Sequence, residues 1–189
     1  ITNNSNITTT TNINITTTIP STITSPPQDQ PLHFFVVVRN PYTRAISEFY
    51  FQAGPLFKRN PQKLQSPMVM NRWIHKRLEE YRKRQADPTM GWNSRSLHWI
   101  PQSEFIWDQQ GQRRIHYVLK FENLTAELDE LASRYHIPVT LAGVPHYKLG
   151  SIPASERLGP EHLNKVVRSE LEQHFAKDFA LGDYPLYRP

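Results

Sequence analysis

The first sustained apolar stretch of the chain is His33-Phe34-Phe35-Val36-Val37-Val38. It is too short for a helix and rich in β-branched and aromatic residues, so it predicts a buried strand of a parallel sheet. Arg39-Asn40-Pro41 interrupts the run. Asparagine is a good N-cap, and proline at the first helical position has the right φ and loses no needed N–H. A helix carrying Tyr42, Ala45, Ile46, Phe49 and Tyr50 is therefore expected to follow and to end by Gly54-Pro55. A second unit of the same kind begins at Ile115. Residues 115–121 read as a strand, and Leu124, Leu128, Leu131 and Tyr135 make one apolar stripe on the next helix. Asn123 or Thr125 is placed to cap that helix, and Pro138 to stop it. Two strand–helix units in one chain argue for an α/β fold with a parallel sheet flanked by helices.

Between the two units, Asn71 to Gln85 have a helical pattern with Ile74, Leu78 and Tyr81 on one face. From Lys58 to Arg84 nine basic residues stand against two acids, Glu79 and Glu80. Such a stretch is either a solvated helix face or a surface for a polyanion. Pro160 is expected to open a last helix with Leu163, Val167, Leu171 and Phe175 inward, closed around Gly182. Residues 1–29 have no such pattern. Thr, Asn, Ile, Ser and Pro make up nearly all of them, and irregularly spaced isoleucines define no buried face, so they predict a disordered stalk or linker. Residues 30–189 form the folded domain.

Composition narrows the chemistry. The 189 residues include no cysteine, which excludes a disulfide scaffold, thiolate zinc and a cysteine nucleophile. No uninterrupted apolar run approaches the roughly 20 residues of a membrane span. Of 22 basic and 17 acidic groups only Asp29 lies in the first 30 residues, so the remainder carries 22 against 16 and favours anionic partners. Asn-x-Ser/Thr triplets begin at Asn3, Asn6, Asn14 and Asn123. They are what a secretory lumen would modify, although so Thr- and Asn-rich a tract produces such triplets by chance.

Arg39 is the residue on which the chemistry turns. In open α/β sheets ligands sit beyond the carboxyl ends of strands, where the next helix presents free N–H groups to an anion. An arginine there adds a planar fork of donors suited to phosphate. Ser47 follows eight residues later, and its hydroxyl reaches the same anion only if the helix runs past it. The plain alternative is a surface arginine and a surface serine.

The segment VVVRNPYTRAISEFY, Val36 to Tyr50, resembles the 3′-phosphate motif of sulfotransferases that use 3′-phosphoadenosine 5′-phosphosulfate (PAPS). It is most similar to that of the Golgi carbohydrate sulfotransferases, with Arg39 and Ser47 at the matching positions. Three later segments agree in order. His98-Trp99-Ile100-Pro101-Gln102 resembles a family H-x-x-P-Q loop. Tyr117 to Leu124 resembles a strand ending in (R/K)-(F/Y)-E-x-L. Phe175-Ala176-Lys177-Asp178-Phe179 with Tyr184 resembles the family's closing segment.

The resemblance implies a P-loop-like sulfotransferase fold and transfer of a sulfuryl group from PAPS to a hydroxyl of a glycan or proteoglycan. It implies Arg39 and Ser47 on the 3′-phosphate, Lys148 as a further phosphate contact with a solvated lysine as its alternative, and no metal. It also implies a Golgi lumen setting through a type II membrane anchor outside this chain. Lys58, Arg59, Arg72, Lys76 and Arg77 are candidates for a polyanionic acceptor, and no nucleic-acid partner is expected. The family's 5′-phosphosulfate loop, of the form K-x-G-x-[ST], precedes the 3′ motif, whereas here the first glycine is Gly54 and the first lysine Lys58. The domain is thus expected to be N-terminally incomplete, with half a donor site and impaired transfer. His98 is the remaining candidate for the general base, a role suited to histidine, with packing beside Trp99 and Pro101 as its alternative. For Glu122 the alternative to acid–base work is capping the next helix or pairing with an arginine. The competing function is a non-catalytic remnant that binds nucleotide or polyanionic glycan.

Overall fold

A computed structural model describes residues 32–91, 93–144 and 156–187. The tract 1–29 and Lys148 lie outside the described residues. Strand β1 (Phe35–Val38) pairs in parallel with β2 (Tyr117–Lys120), Phe35 opposite Tyr117 and Val38 opposite Lys120. Both strands are shorter than the apolar runs that predict them. His33 and Phe34 precede β1, and Phe121–Asn123 continue β2 as a 3-10 turn. Burial is graded along β1, with Phe35 51 % exposed and Val38 1 %. The expectation of a buried strand therefore holds only at the carboxyl end, because no described element covers Phe34 and Phe35.

Helix α1 (Pro41–Ala53) begins where expected: the Asn40 side chain accepts from the Tyr42 N–H at 2.9 Å, with proline at the first position. Its stripe Tyr42, Ala45, Ile46, Phe49, Tyr50 and Ala53 is buried. Helix α2 (Pro67–Ala86) starts four residues before the predicted Asn71, since Ser66 caps it and Pro67 occupies the first turn. Asn71 is buried and bonds the carbonyls of Pro67 and His162 and the N–H of Asn164, which joins α2 to the chain entering α5.

Short helix α3 (Ser94–Leu97) precedes the His98 loop, and α4 (Leu124–Arg134) follows β2. Asn123 occupies the α4 N-cap position without a side-chain capping bond, and α4 ends at Arg134, before Pro138. Its predicted stripe is only half-buried, Tyr135 being 37 % exposed. The last predicted helix is divided. Pro160–His162 form a 3-10 turn, Leu163 is extended, and α5 (Lys165–His174) starts on the Asn164 cap, followed by α6 (Ala176–Leu181) before Gly182. The inward residues are nonetheless the predicted ones: Leu163, Val167, Leu171 and Phe175 are at most 2 % exposed.

One core joins α1, α2, α5 and α6 around Phe49, Met70, Ile74, Leu78, Trp99, Leu171 and Phe175. Each such side chain contributes about 1.5–3 kcal/mol on burial. On the outer face of α2, much of the basic character is neutralised by Arg77–Glu80, Lys83–Glu79 and Arg82–Glu170 pairs.

His174 borders this core. Its Nε2 is 2.9 Å from the Trp99 carbonyl and its ring meets those of Tyr81 and Phe175 edge-on. Burial pushes its pKa below the ordinary 6.5, with Arg82 and Arg44 acting in the same direction and the Trp99 carbonyl and Asp178 opposing. The unfolded chain then takes up the proton more readily than the folded one. This contribution to stability is complete above about pH 6.5 and is lost as the pH falls through the lower folded value. The thermal midpoint is expected to fall between about pH 7 and pH 5, with a shallower fall in His174→Gln. Equal slopes in parallel melts would refute this.

Candidate anion site at the carboxyl end of the sheet

Arg39 leaves β1 with its backbone clamped. Its N–H donates to Gln102 Oε1 and its carbonyl accepts from Gln102 Nε2, both at 2.9 Å. Phe34, five residues earlier, accepts from His116 and Tyr117 on the β2 side. Strand alternation therefore puts the Gln102 clamp on the opposite edge of β1, where the side-chain amide stands in for a neighbouring strand. Gln102 is itself held by Asp178, which is 1 % exposed. Asp178 Oδ2 accepts from the Gln102 N–H and Oδ1 from the Ser103 N–H, each at 2.8 Å. Arg44 completes the loop's attachment: Nη2 donates to the carbonyls of His98 and Ile100, and Nη1 lies 3.6 Å from Asp178.

The Arg39 side chain is oriented from two sides. Nε donates to Thr43 Oγ1 at 3.1 Å, and the guanidinium carbon lies 4.6 Å from the centroid of the Phe121 ring. The two terminal nitrogens have no acceptor among the described residues. Burial lowers the Arg39 pKa from the ordinary arginine value, with the Glu122 and Glu48 charges opposing, and an arginine so placed remains a cation at neutral pH. Ser47 is half-buried on α1 with no side-chain partner among the described residues. It stands four residues beyond Thr43, a spacing that makes the two neighbours on the helix surface. The Arg39 guanidinium thus lies against the first turn of α1, at Thr43.

The helix N-terminus contributes less than expected. The Asn40 N–H is bound by Glu122 Oε1 at 2.9 Å, the Tyr42 N–H by the Asn40 side chain, and Pro41 has none. Free donors come instead from side chains. Glu122 does not cap the helix that follows it but the earlier α1. Its Oε1 also faces the Thr43 hydroxyl at 3.4 Å, and its Oε2 accepts from the Tyr184 hydroxyl at 2.9 Å. Burial and the Glu122 carboxylate push the Tyr184 phenol pKa up, so it remains the donor.

His98 is drawn toward α1 by Glu48, whose two oxygens lie 3.2 and 3.1 Å from Nδ1, and its ring stacks on Phe51. The side chain is 40 % exposed. Trp99, rather than His98, is the loop residue packed in the core. Among the basic candidates, Lys58, Arg59, Arg72 and Lys76 are exposed and have no ion-pair partner among the described residues. Arg77 pairs with Glu80 at 2.6 Å and lies over Trp73.

A cleft of about 610 Å³ is lined by Phe121, whose ring the Arg39 guanidinium overlies, and by Leu124, Thr125, Asp129, Leu141 and Val144 among others. Periodicity gave no sign of it, because its walls come from the first turns of α4 and from the irregular chain after it. Gln102 and Asp178 were legible only as members of matched motifs, without their roles.

An α/β unit that ends a parallel strand in a guanidinium whose terminal nitrogens have no acceptor among the described residues has the chemistry to hold an anion. The model of the Sulfotransferase family matches residues 3–185, and the chain belongs to that family of sulfuryl-transferring enzymes. No curated protein and no solved structure matches it.

Proposed function

We propose that this chain holds the 3′-phosphate end of PAPS and serves transfer of its sulfuryl group to a carbohydrate hydroxyl. The observation that carries the reading is the Arg39 fork: two terminal nitrogens without an acceptor among the described residues, with Nε held by Thr43 one helical turn before Ser47. A 3′-phosphate placed there receives a bidentate charge-assisted pair from Arg39 and a hydroxyl donor from Ser47. The nucleoside then extends into the adjoining cleft against Phe121 and Val144. A cleft of this size lies within the range of small-molecule sites. Lys148 is a further phosphate contact in this reading.

In the reaction the acceptor oxygen attacks sulfur, the bond from sulfur to the 5′-phosphate oxygen breaks, and the acceptor proton passes to a base. The products are a sulfate ester and 3′,5′-adenosine bisphosphate. His98 is the base in this reading: Glu48 occupies Nδ1, leaving Nε2 as the nitrogen that takes the proton. The glycan acceptor and the Golgi setting rest on the motif resemblance. Exposed Lys58, Arg59, Arg72 and Lys76 supply the cationic surface that a polyanionic acceptor requires.

Calorimetric titration tests the donor half. The chain is expected to bind 3′,5′-adenosine bisphosphate at least about ten-fold more tightly than adenosine 5′-monophosphate. Equal affinity for the two nucleotides, or binding of neither by a folded chain, would overturn the reading.

A further inference from the structure

We propose that Thr43 is a positioning residue for nucleotide recognition: its hydroxyl and the Phe121 ring fix the plane of the Arg39 guanidinium. The inference rests on the donor-site reading above. An arginine side chain has several soft torsions, and a bidentate contact with phosphate requires its terminal nitrogens to be held in one plane. Two contacts of different kinds supply that constraint. The Nε–H to Thr43 Oγ1 bond of 3.1 Å sets the rotation of the fork, and the ring 4.6 Å away sets its tilt.

The Thr43 hydroxyl is itself located from two further sides. Its Oγ1 lies 3.1 Å from the Asn40 carbonyl and 3.4 Å from Glu122 Oε1. The oxygen accepts from Arg39 while its hydrogen is directed to one of those two acceptors. Thr43 satisfies Nε, and neither terminal nitrogen has an acceptor among the described residues, so both are left for a ligand. Pre-organisation of this kind raises affinity by removing the ordering cost of the side chain on binding. Thr43 touches no phosphate itself. Its effect is therefore expected only through Arg39, and only for a ligand that carries the 3′-phosphate.

The test is a double-mutant cycle read by calorimetry with the full chain. Thr43→Val keeps the shape and removes the hydroxyl, and it is expected to weaken 3′,5′-adenosine bisphosphate about three- to ten-fold. Thr43→Ser, which keeps the hydroxyl, should stay within about two-fold of the wild type. Adenosine 5′-monophosphate should bind all three alike, and Thr43→Val should have no further effect in an Arg39→Ala background. The thermal midpoint of Thr43→Val should fall by no more than a few degrees, and equally with or without Arg39. Unchanged affinity in Thr43→Val would overturn the inference alone, as would an equal loss in the Arg39→Ala background. Absence of bisphosphate binding by the folded wild-type chain would overturn both the inference and the donor-site reading beneath it.

Discussion

Asp178→Ala is expected to lower stability by about 3–5 kcal/mol, the range for removing one partner of a buried charged pair. The side chain is almost fully buried, and each oxygen accepts a backbone N–H at 2.8 Å. Its removal strands the Gln102 and Ser103 amides, and it leaves Arg44 Nη1 buried without its counter-charge. Each unsatisfied buried donor costs about 1–3 kcal/mol. For a domain of this size the midpoint should fall by roughly 10 °C or more. Asp178→Asn should fall between the two, because its NH₂ group cannot accept from either amide. A melt of Asp178→Ala within about 2 °C of the wild type would show that the His98 to Gln102 loop is held by other means. The loss would extend to ligand binding, since Gln102 is what clamps the Arg39 backbone.

Arg39→Ala should separate binding from folding in the opposite sense. Among the described residues its side chain makes one hydrogen bond and one ring contact, so stability should change by no more than about 1 kcal/mol. A charged bidentate contact is worth about 1.5–3 kcal/mol, which corresponds to a loss of roughly ten- to hundred-fold in 3′,5′-adenosine bisphosphate affinity. Adenosine 5′-monophosphate, without the 3′-phosphate, should be indifferent to the change. Arg39→Lys should recover only part of the loss, because an ammonium keeps the charge but not the planar fork. Equal affinity of Arg39→Ala and the wild type for the bisphosphate would remove Arg39 from the site.

Sequence alone determined much about this protein. The strand–turn–helix at Val36 to Tyr50, the Asn40 cap, the inward faces of α1, α2 and α5 and the order of four motifs were all readable. Each depends on residues close together in the chain, where a cap or a period of 3.6 leaves a direct trace. The parallel pairing of the two strands was readable as well, from two strand–helix units in succession.

What tertiary structure alone decided is how those motifs meet. Gln102 reaches Arg39 across 63 residues, Asp178 reaches Gln102 across 76, and Glu122 joins Asn40 and Tyr184 across 82 and 62. No local pattern reports such contacts, because each polar residue at a strand or helix end has several acceptable partners until packing chooses one. The same choice turned Glu122 from the cap of its own helix into the cap of α1. It also set the Arg39 side chain against Thr43 in the first turn of α1, because β1, clamped between β2 and Gln102, fixes where the chain enters that helix.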